Sequence, residues 1–167
     1  AFALWRDDTI KELVVECFYI LECIAPQSLY TDRFLSSVPI RTVVNHKGEC
    51  VEKRYTRAEC YANCENGPVT KLLAAKALAD TFGKMMNRST EYAQNRSKPI
   101  LDSALKLMDN FYSNEINRLN HLIMQGAPMA EQERAVLISE KSDVKKYLSQ
   151  SRIRLECLRV IRRGPVS

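Results

Sequence analysis

The segment from Glu12 to Tyr55, ELVVECFYILECIAPQSLYTDRFLSSVPIRTVVNHKGECVEKRY, constrains this chain more than any other, because strand-like runs alternate in it with Pro and Gly punctuation. From Leu13 to Ile24 the odd positions through Cys23 are apolar, while Glu16 and Glu22 fall on the opposite face, the period-two pattern of a half-buried strand. A helix over the same span is the competing reading, but Val14, Val15, Phe18, Tyr19 and Ile20 favour extended backbone. Ala25-Pro26 breaks the run. Pro39 to Val44 then reads as a second strand and Glu49 to Tyr55 as its partner across Asn45-His46-Lys47-Gly48, with Gly48 supplying a positive φ at the end of the turn. This order predicts an antiparallel sheet and leaves no room within it for a catalytic loop.

Past an undecided connector, Ala58 to Gly67, which Asn66-Gly67-Pro68 stops, the period becomes helical. From Val69 onward, Leu72, Ala75, Ala79, Phe82 and Met86 alternate spacings of three and four, and Gly83 weakens the helix without ending it. A second stripe, Leu101, Leu105, Met108, Tyr112, Ile116, Leu119 and Ile123, runs for roughly six turns from Pro99, which is tolerated in a first turn and would kink a helix continuing from Asn87. Gln125-Gly126-Ala127-Pro128 supplies a stop and a restart. A third helix follows, with Ala130, Leu137, Val144 and Leu148 on one face and Glu131 and Glu133 near its N-terminus, where the dipole favours them. Helices two and three therefore form an antiparallel, coiled-coil-like pair. Arg154 to Arg162 reads as a final strand or a helix tail.

With 167 residues, the chain is the size of one domain that buries about 70% of its unfolded surface, so residues 1–167 are expected to be a single domain. Its 46% apolar and 27% charged residues are those of an ordinary globular protein. No apolar run is long enough to span a bilayer, and Ala1 to Asp8 lacks the parts of a signal peptide, so a cytoplasmic location without membrane contact is expected. A start without Met, on AFALWRD, reads as the edge of a piece of a larger polypeptide.

Chemistry-bearing motifs are sparse. The glycines, Gly48, Gly67, Gly83, Gly126 and Gly164, are isolated, so no phosphate-cradling loop or dinucleotide fingerprint can be assembled, and no cofactor is expected in this chain. H-E-x-x-H and G-x-S-x-G are absent, and His46 and His121 have no sequence-local partner that marks a base. Glu16 and Glu22 lie roughly 20 Å apart at strand rise, too far for a carboxylate dyad. His46, Cys50, Cys60 and Cys64 form an H-x3-C-x9-C-x3-C series of zinc-ligand types, a weak metal candidate because paired C-x2-C knuckles are missing. Cys17 and Cys23 read as small buried apolar residues. The 25 Lys and Arg against 20 Asp and Glu are unevenly spread. Lys141, Lys145, Lys146, Arg152, Arg154, Arg159, Arg162 and Arg163 crowd the last part of the chain against Asp143 and Glu156 only. The simplest reading is a solvated helix face plus arginine stems lying over the sheet. The alternatives are an independent nucleic-acid-binding module holding phosphate through this basic segment, or a zinc-stabilised interaction domain.

Two blocks of wording, LECIAPQSLYTDRFLSSVPIRTVV and RIRLECLRVI, resemble the C-terminal domain of the RapA family, bacterial Swi/Snf-type, helicase-like ATPases that associate with RNA polymerase and promote its recycling. The first block matches at Glu22, Ala25, Pro26, Leu29, Arg33, Phe34, Leu35, Pro39, Arg41 and Gly48, and the second at Arg154, Leu155, Leu158, Arg159 and Ile161. Ser36 and Ser37 stand where the family tends to be proline-rich, and most of the cysteines are outside its pattern. The resemblance implies that Arg154 to Arg162 returns to the sheet as a strand. The fold expected is α+β: an antiparallel sheet of N-terminal strands plus this returning strand, with a long antiparallel helical pair. It further implies a non-catalytic C-terminal accessory domain of a transcription regulator. ATP, Mg and DNA-linked hydrolase activity would then belong to motor lobes outside this chain, and the partners would be other domains of the same polypeptide and RNA polymerase, with at most weak nucleic-acid contact. Arg33, Phe34, Arg41, Arg154, Arg159, Arg162 and Arg163 are the interaction candidates.

Overall fold

The computed structural model describes residues 1–68 and 76–165. Among these the chain is α+β, as expected. It has strands β1 (Phe2–Arg6), β2 (Glu12–Glu22), β3 (Val38–Asn45), β4 (Cys64–Asn66) and β5 (Arg152–Gly164), and helices α1 (Arg57–Asn63), α2 (Lys76–Met124) and α3 (Ala130–Ser149). The five strands form one sheet in the order β3-β2-β5-β1-β4. Two compact units emerge, one of Ala1–Ile20, Pro39–Arg96 and Arg154–Ser167, the other of Leu21–Val38 and Ser97–Ile153.

The first unit holds most of the sheet. Its strands β2 and β3 lie where the alternation placed them, and β5 is the returning strand. Two features differ from the purely antiparallel sheet expected. The apolar start Phe2–Arg6 is itself a strand, and it pairs parallel with β5, Phe2 against Val160 and Arg6 against Gly164, while β4 closes antiparallel on its other side. The sheet is therefore mixed. Nor is β2 half-buried: Val14, Val15, Glu16 and Cys17 are all at or below 1% exposure, so both of its faces are covered.

Glu49 to Tyr55 is not a strand. Gly48 takes φ 81° as the turn requires, and Val44 bridges Cys50, but the ladder ends there. Arg54 and Tyr55 then donate backbone bonds to the carbonyls of Val51 and Glu52, turning the chain inward. The reason is packing: Val51 and Tyr55 join Ala3, Trp5, Val14, Val43, Cys60 and Ile161 in one core cluster. The undecided connector resolves into α1 and β4, with the Thr56 side chain accepting from the Glu59 amide as an N-cap.

The helix predicted from Val69 through Leu72 and Ala75 begins outside the described residues. Within them α2 runs 49 residues with Pro99 inside, so the expected break at Pro99 is overturned. A proline in a helix interior loses one backbone bond, a cost of about 3 kcal/mol that a long apolar stripe can offset. That stripe is complete: Met108, Tyr112 and Leu119 are buried and Leu101, Leu105, Ile116 and Ile123 partly so. Further back the buried residues are Met85, Ser89 and Ala93: Ser89 and Ala93 continue the expected stripe from Phe82 and Met86, which are partly buried, Met85 sits one position before Met86, and Ala79 is exposed.

In the second unit α2 and α3 make the antiparallel pair. Asp109 meets Lys141, Tyr112 meets Glu140 and Asn120 meets Arg134, so partners ascend one helix as they descend the other. Gly126, at φ 77°, turns the corner.

Candidate functional site

The covered face of β2 explains where the arginines go. Glu16 is 1% exposed, and a carboxylate so placed needs charged partners to replace water. It has two. Arg41 Nε donates to Oε1 at 2.8 Å from β3, and Arg159 Nε donates to Oε2 at 2.7 Å from β5. Arg41 also donates to the Tyr55 carbonyl, and its guanidinium lies 3.9 Å from Cys60 Sγ. Burial lowers the Arg159 pKa, but the Glu16 carboxylate beside it outweighs that and holds it above the ordinary value.

A second knot lies along the same strand. Glu12 accepts from Asn45 Nδ2 at 2.9 Å, from Arg54 at 3.1 Å and from the Tyr55 hydroxyl at 2.7 Å. Burial pushes the Glu12 carboxyl up, and these three donors more than reverse it, leaving the pKa below the usual carboxylate value. The Tyr55 phenol moves the other way, raised by burial and then by the Glu12 carboxylate it faces. Near it Arg163 donates to Asp7 Oδ2 at 2.7 Å with its guanidinium 4.3 Å from the Trp5 ring centroid. Asp7 sits well below the carboxylate range, first through the Thr9 hydroxyl and amide, then through Arg163.

In the second unit Arg33 is held by aromatics. Its guanidinium lies 4.8 Å from the ring centroid of Phe34 and 4.6 Å from that of Phe111, and it donates to the Tyr112 hydroxyl at 2.9 Å and to Glu140 at 3.2 Å. Burial, then Glu140, pushes the Tyr112 phenol up to about 12.

Of the seven interaction candidates, Arg41, Arg159 and Arg163 are thus brought together on one face of the sheet, while Arg33 and Phe34 share the aromatic cluster. Arg154 lies exposed beside Glu156, with which it pairs, and Arg162 is exposed. Arg152 faces Glu22 at 3.7 Å, and Lys141 pairs with Asp109 at 2.8 Å. The sequence reasoning missed Glu16 as the centre of this arrangement. The signal is a carboxylate inside an apolar run with arginines on two other strands, but alternation alone puts Glu16 on the open face of a half-buried strand.

The zinc series does not converge: among the described residues no three His, Cys, Asp or Glu side chains gather as a metal site. Cys50 is exposed 3.5 Å from the Arg96 guanidinium, whereas Cys60 is buried behind Arg41. Burial, then the neighbouring Cys60, pushes the Cys64 thiol up to about 11, away from the thiolate that metal binding or nucleophilic chemistry requires.

Fold and site together define an α+β domain whose charged groups are mostly engaged with one another. The chain belongs to the family described as RNA polymerase recycling family C-terminal, whose pattern matches residues 1–162. It is 27% identical over 152 residues to the RNA polymerase-associated protein RapA of Haemophilus influenzae (strain PittEE), covering 89% of this chain and 16% of that protein. The corresponding RapA of Actinobacillus succinogenes is 28% identical over 154 residues, again across 89% of this chain and 16% of the relative. That of Proteus mirabilis is 23% identical, across 91% and 16%. The chain therefore spans about a sixth of the length of these relatives.

Proposed function

We propose that this chain acts as one non-catalytic accessory domain of a RapA-type, ATP-dependent transcription regulator that works in the cytoplasm beside RNA polymerase and promotes its recycling. The family match over residues 1–162 carries the reading, because it fills the chain while accounting for only about a sixth of relatives described as RNA polymerase-associated. Motor lobes, with their ATP and Mg, belong elsewhere in such a polypeptide, and the partners of this domain are those lobes and the polymerase.

The isolated glycines support this reading, since a phosphate cradle needs consecutive backbone amides that an isolated glycine cannot supply. So do the paired arginines. Arg41, Arg159 and Arg163 each face a carboxylate within the sheet unit, which leaves them poorly placed to neutralise a polyanion, and the exposed Arg33 is engaged by Glu140 and by the rings beside it. In this reading the chain also folds without zinc.

Incubation of the purified chain with ATP and Mg tests it: no turnover is expected above buffer. Hydrolysis that copurifies with the chain and disappears on substituting one of its residues would overturn the proposal. Chelator should leave the melting curve unchanged, because structural zinc contributes to folding directly.

A further inference from the structure

We propose that the loop between β2 and β3 carries a recognition pocket for an arginine side chain presented by another polypeptide segment. A cavity of about 420 Å³ opens within this loop, with Cys23, Gln27, Ser28, Tyr30, Asp32 and Arg33 in its wall. Two short 3-10 turns, Gln27–Leu29 and Thr31–Arg33, curl the chain around it and meet at Tyr30. Every residue of the wall belongs to the second unit.

Tyr30 is the outlier of this loop. It stands at φ 47° and ψ 44°, the left-handed region that a residue carrying a Cβ enters at a cost, and it is 69% exposed, so burial of its ring does not offset that cost. Gly or Asn would make the same junction with less strain. Instead an aromatic ring is held on the wall of the pocket.

Charge selects the occupant. Only Asp32 and Arg33 bring charge to the wall, and Arg33 is already matched: it donates to Glu140 at 3.2 Å, and its guanidinium lies over the Phe34 and Phe111 rings. Asp32 is exposed, and among the described residues its carboxylate has no hydrogen-bond or ion-pair partner. The pocket thus presents one unmatched carboxylate beside one exposed ring. Arg33 shows in the same unit what such a pair holds, since rings take the flat face of its guanidinium while the Glu140 carboxylate takes its edge. Tyr30 and Asp32 bring the same two kinds of group to the pocket. A guanidinium suits them better than an ammonium, because its plane stacks on a ring and its fork meets both carboxylate oxygens.

Titration of the isotopically labelled whole chain with the capped tripeptide Gly-Arg-Gly, followed through its amide NMR shifts, tests this. Shifts should centre on residues 23–33 and saturate in the millimolar range, as befits one exposed ion pair and one ring contact. Capped Gly-Lys-Gly should bind more weakly, and capped Gly-Gln-Gly at least about tenfold more weakly. Asp32→Asn, at an exposed position, should weaken the arginine peptide about fivefold and leave the rest of the spectrum unchanged. Tyr30→Gly should weaken it about threefold while raising the melting temperature, a combination that a Tyr30 serving only the fold would not give. Absence of shifts, shifts centred outside residues 23–33, equal binding of the arginine and glutamine peptides, or an Asp32→Asn chain that binds like the parent would overturn the proposal.

Discussion

The sheet face around Glu16 and the outer end of the α2–α3 pair are opposite solutions to placing awkward side chains. On the sheet, charged groups lie inside and are matched: Glu16, 1% exposed, faces two guanidinium groups, and Glu12 has three donors. At the helical end apolar groups lie outside and are unmatched, with Met124, Met129 and Val136 each more than half exposed. A buried matched charge is part of what makes a fold specific, and removing one member leaves the others stranded in a poor solvent. An exposed apolar group contributes little to the fold, and its cost is relieved when something covers it. The sheet face is therefore read as structural and the helical end as available.

The largest effect should come from Glu16→Ala, which strands Arg41 and Arg159 together. Loss of a buried charge partner costs about 3–5 kcal/mol, so chemical denaturation should show destabilisation of that order. A loss under about 1 kcal/mol would make the sheet face as dispensable as a surface pair.

Acid should act next. Asp7 and Glu12 both have folded pKa values below their unfolded ones, Asp7 chiefly through Thr9 and then Arg163, Glu12 because its three donors outweigh burial. Their contribution is fully present above the unfolded carboxylate range and is lost as pH falls through the folded values. Melting temperature should accordingly drop steeply below pH about 4, and Asp7→Asn should flatten that decline. An Asp7→Asn curve parallel to that of the parent would remove Asp7 from the account.

Gly83→Ala tests whether α2 is a true helix interior. A Cβ there meets no atom within 4 Å, and the position is exposed, so the gain should be about 0.5–1 kcal/mol. The smallest effect belongs to Arg154→Ala, at an exposed side chain whose ion pair with Glu156 is open to water, with a change within about 0.5 kcal/mol.

Much of this comparison was legible in the residues, and the failures share a cause. Periodicity located β2, β3, α3 and the α2 stripe because each is long enough to repeat its pattern. The Phe2–Arg6 strand escaped because five residues carry almost no periodicity, and its partner β5 lies at the far end of the chain. Glu49–Tyr55 looked like a strand by composition, yet the buried Tyr55 hydroxyl bonded to Glu12 decided its path, a contact 43 positions away in sequence. Pro99 signalled a break that stripe packing overrode. Glu16 was visible as a residue and not as a site, since nothing local shows that both faces of β2 are covered. The wording shared with the RapA family reached further, because Arg41 and Arg159, two of the matched positions, are the two partners of Glu16.

Titrating labelled duplex and single-stranded nucleic acid with the purified chain, at a low and a physiological salt concentration, tests the central claim most directly. Phosphate contacts release condensed counterions, so an interface built on these arginines would bind tightly and weaken steeply as salt rises. With Arg41, Arg159 and Arg163 held by carboxylates inside the fold, binding at physiological salt should be negligible for both probes. Submicromolar, salt-sensitive binding, lost when Arg154, Arg159, Arg162 and Arg163 are all changed to Ala in a chain that remains folded, would contradict it.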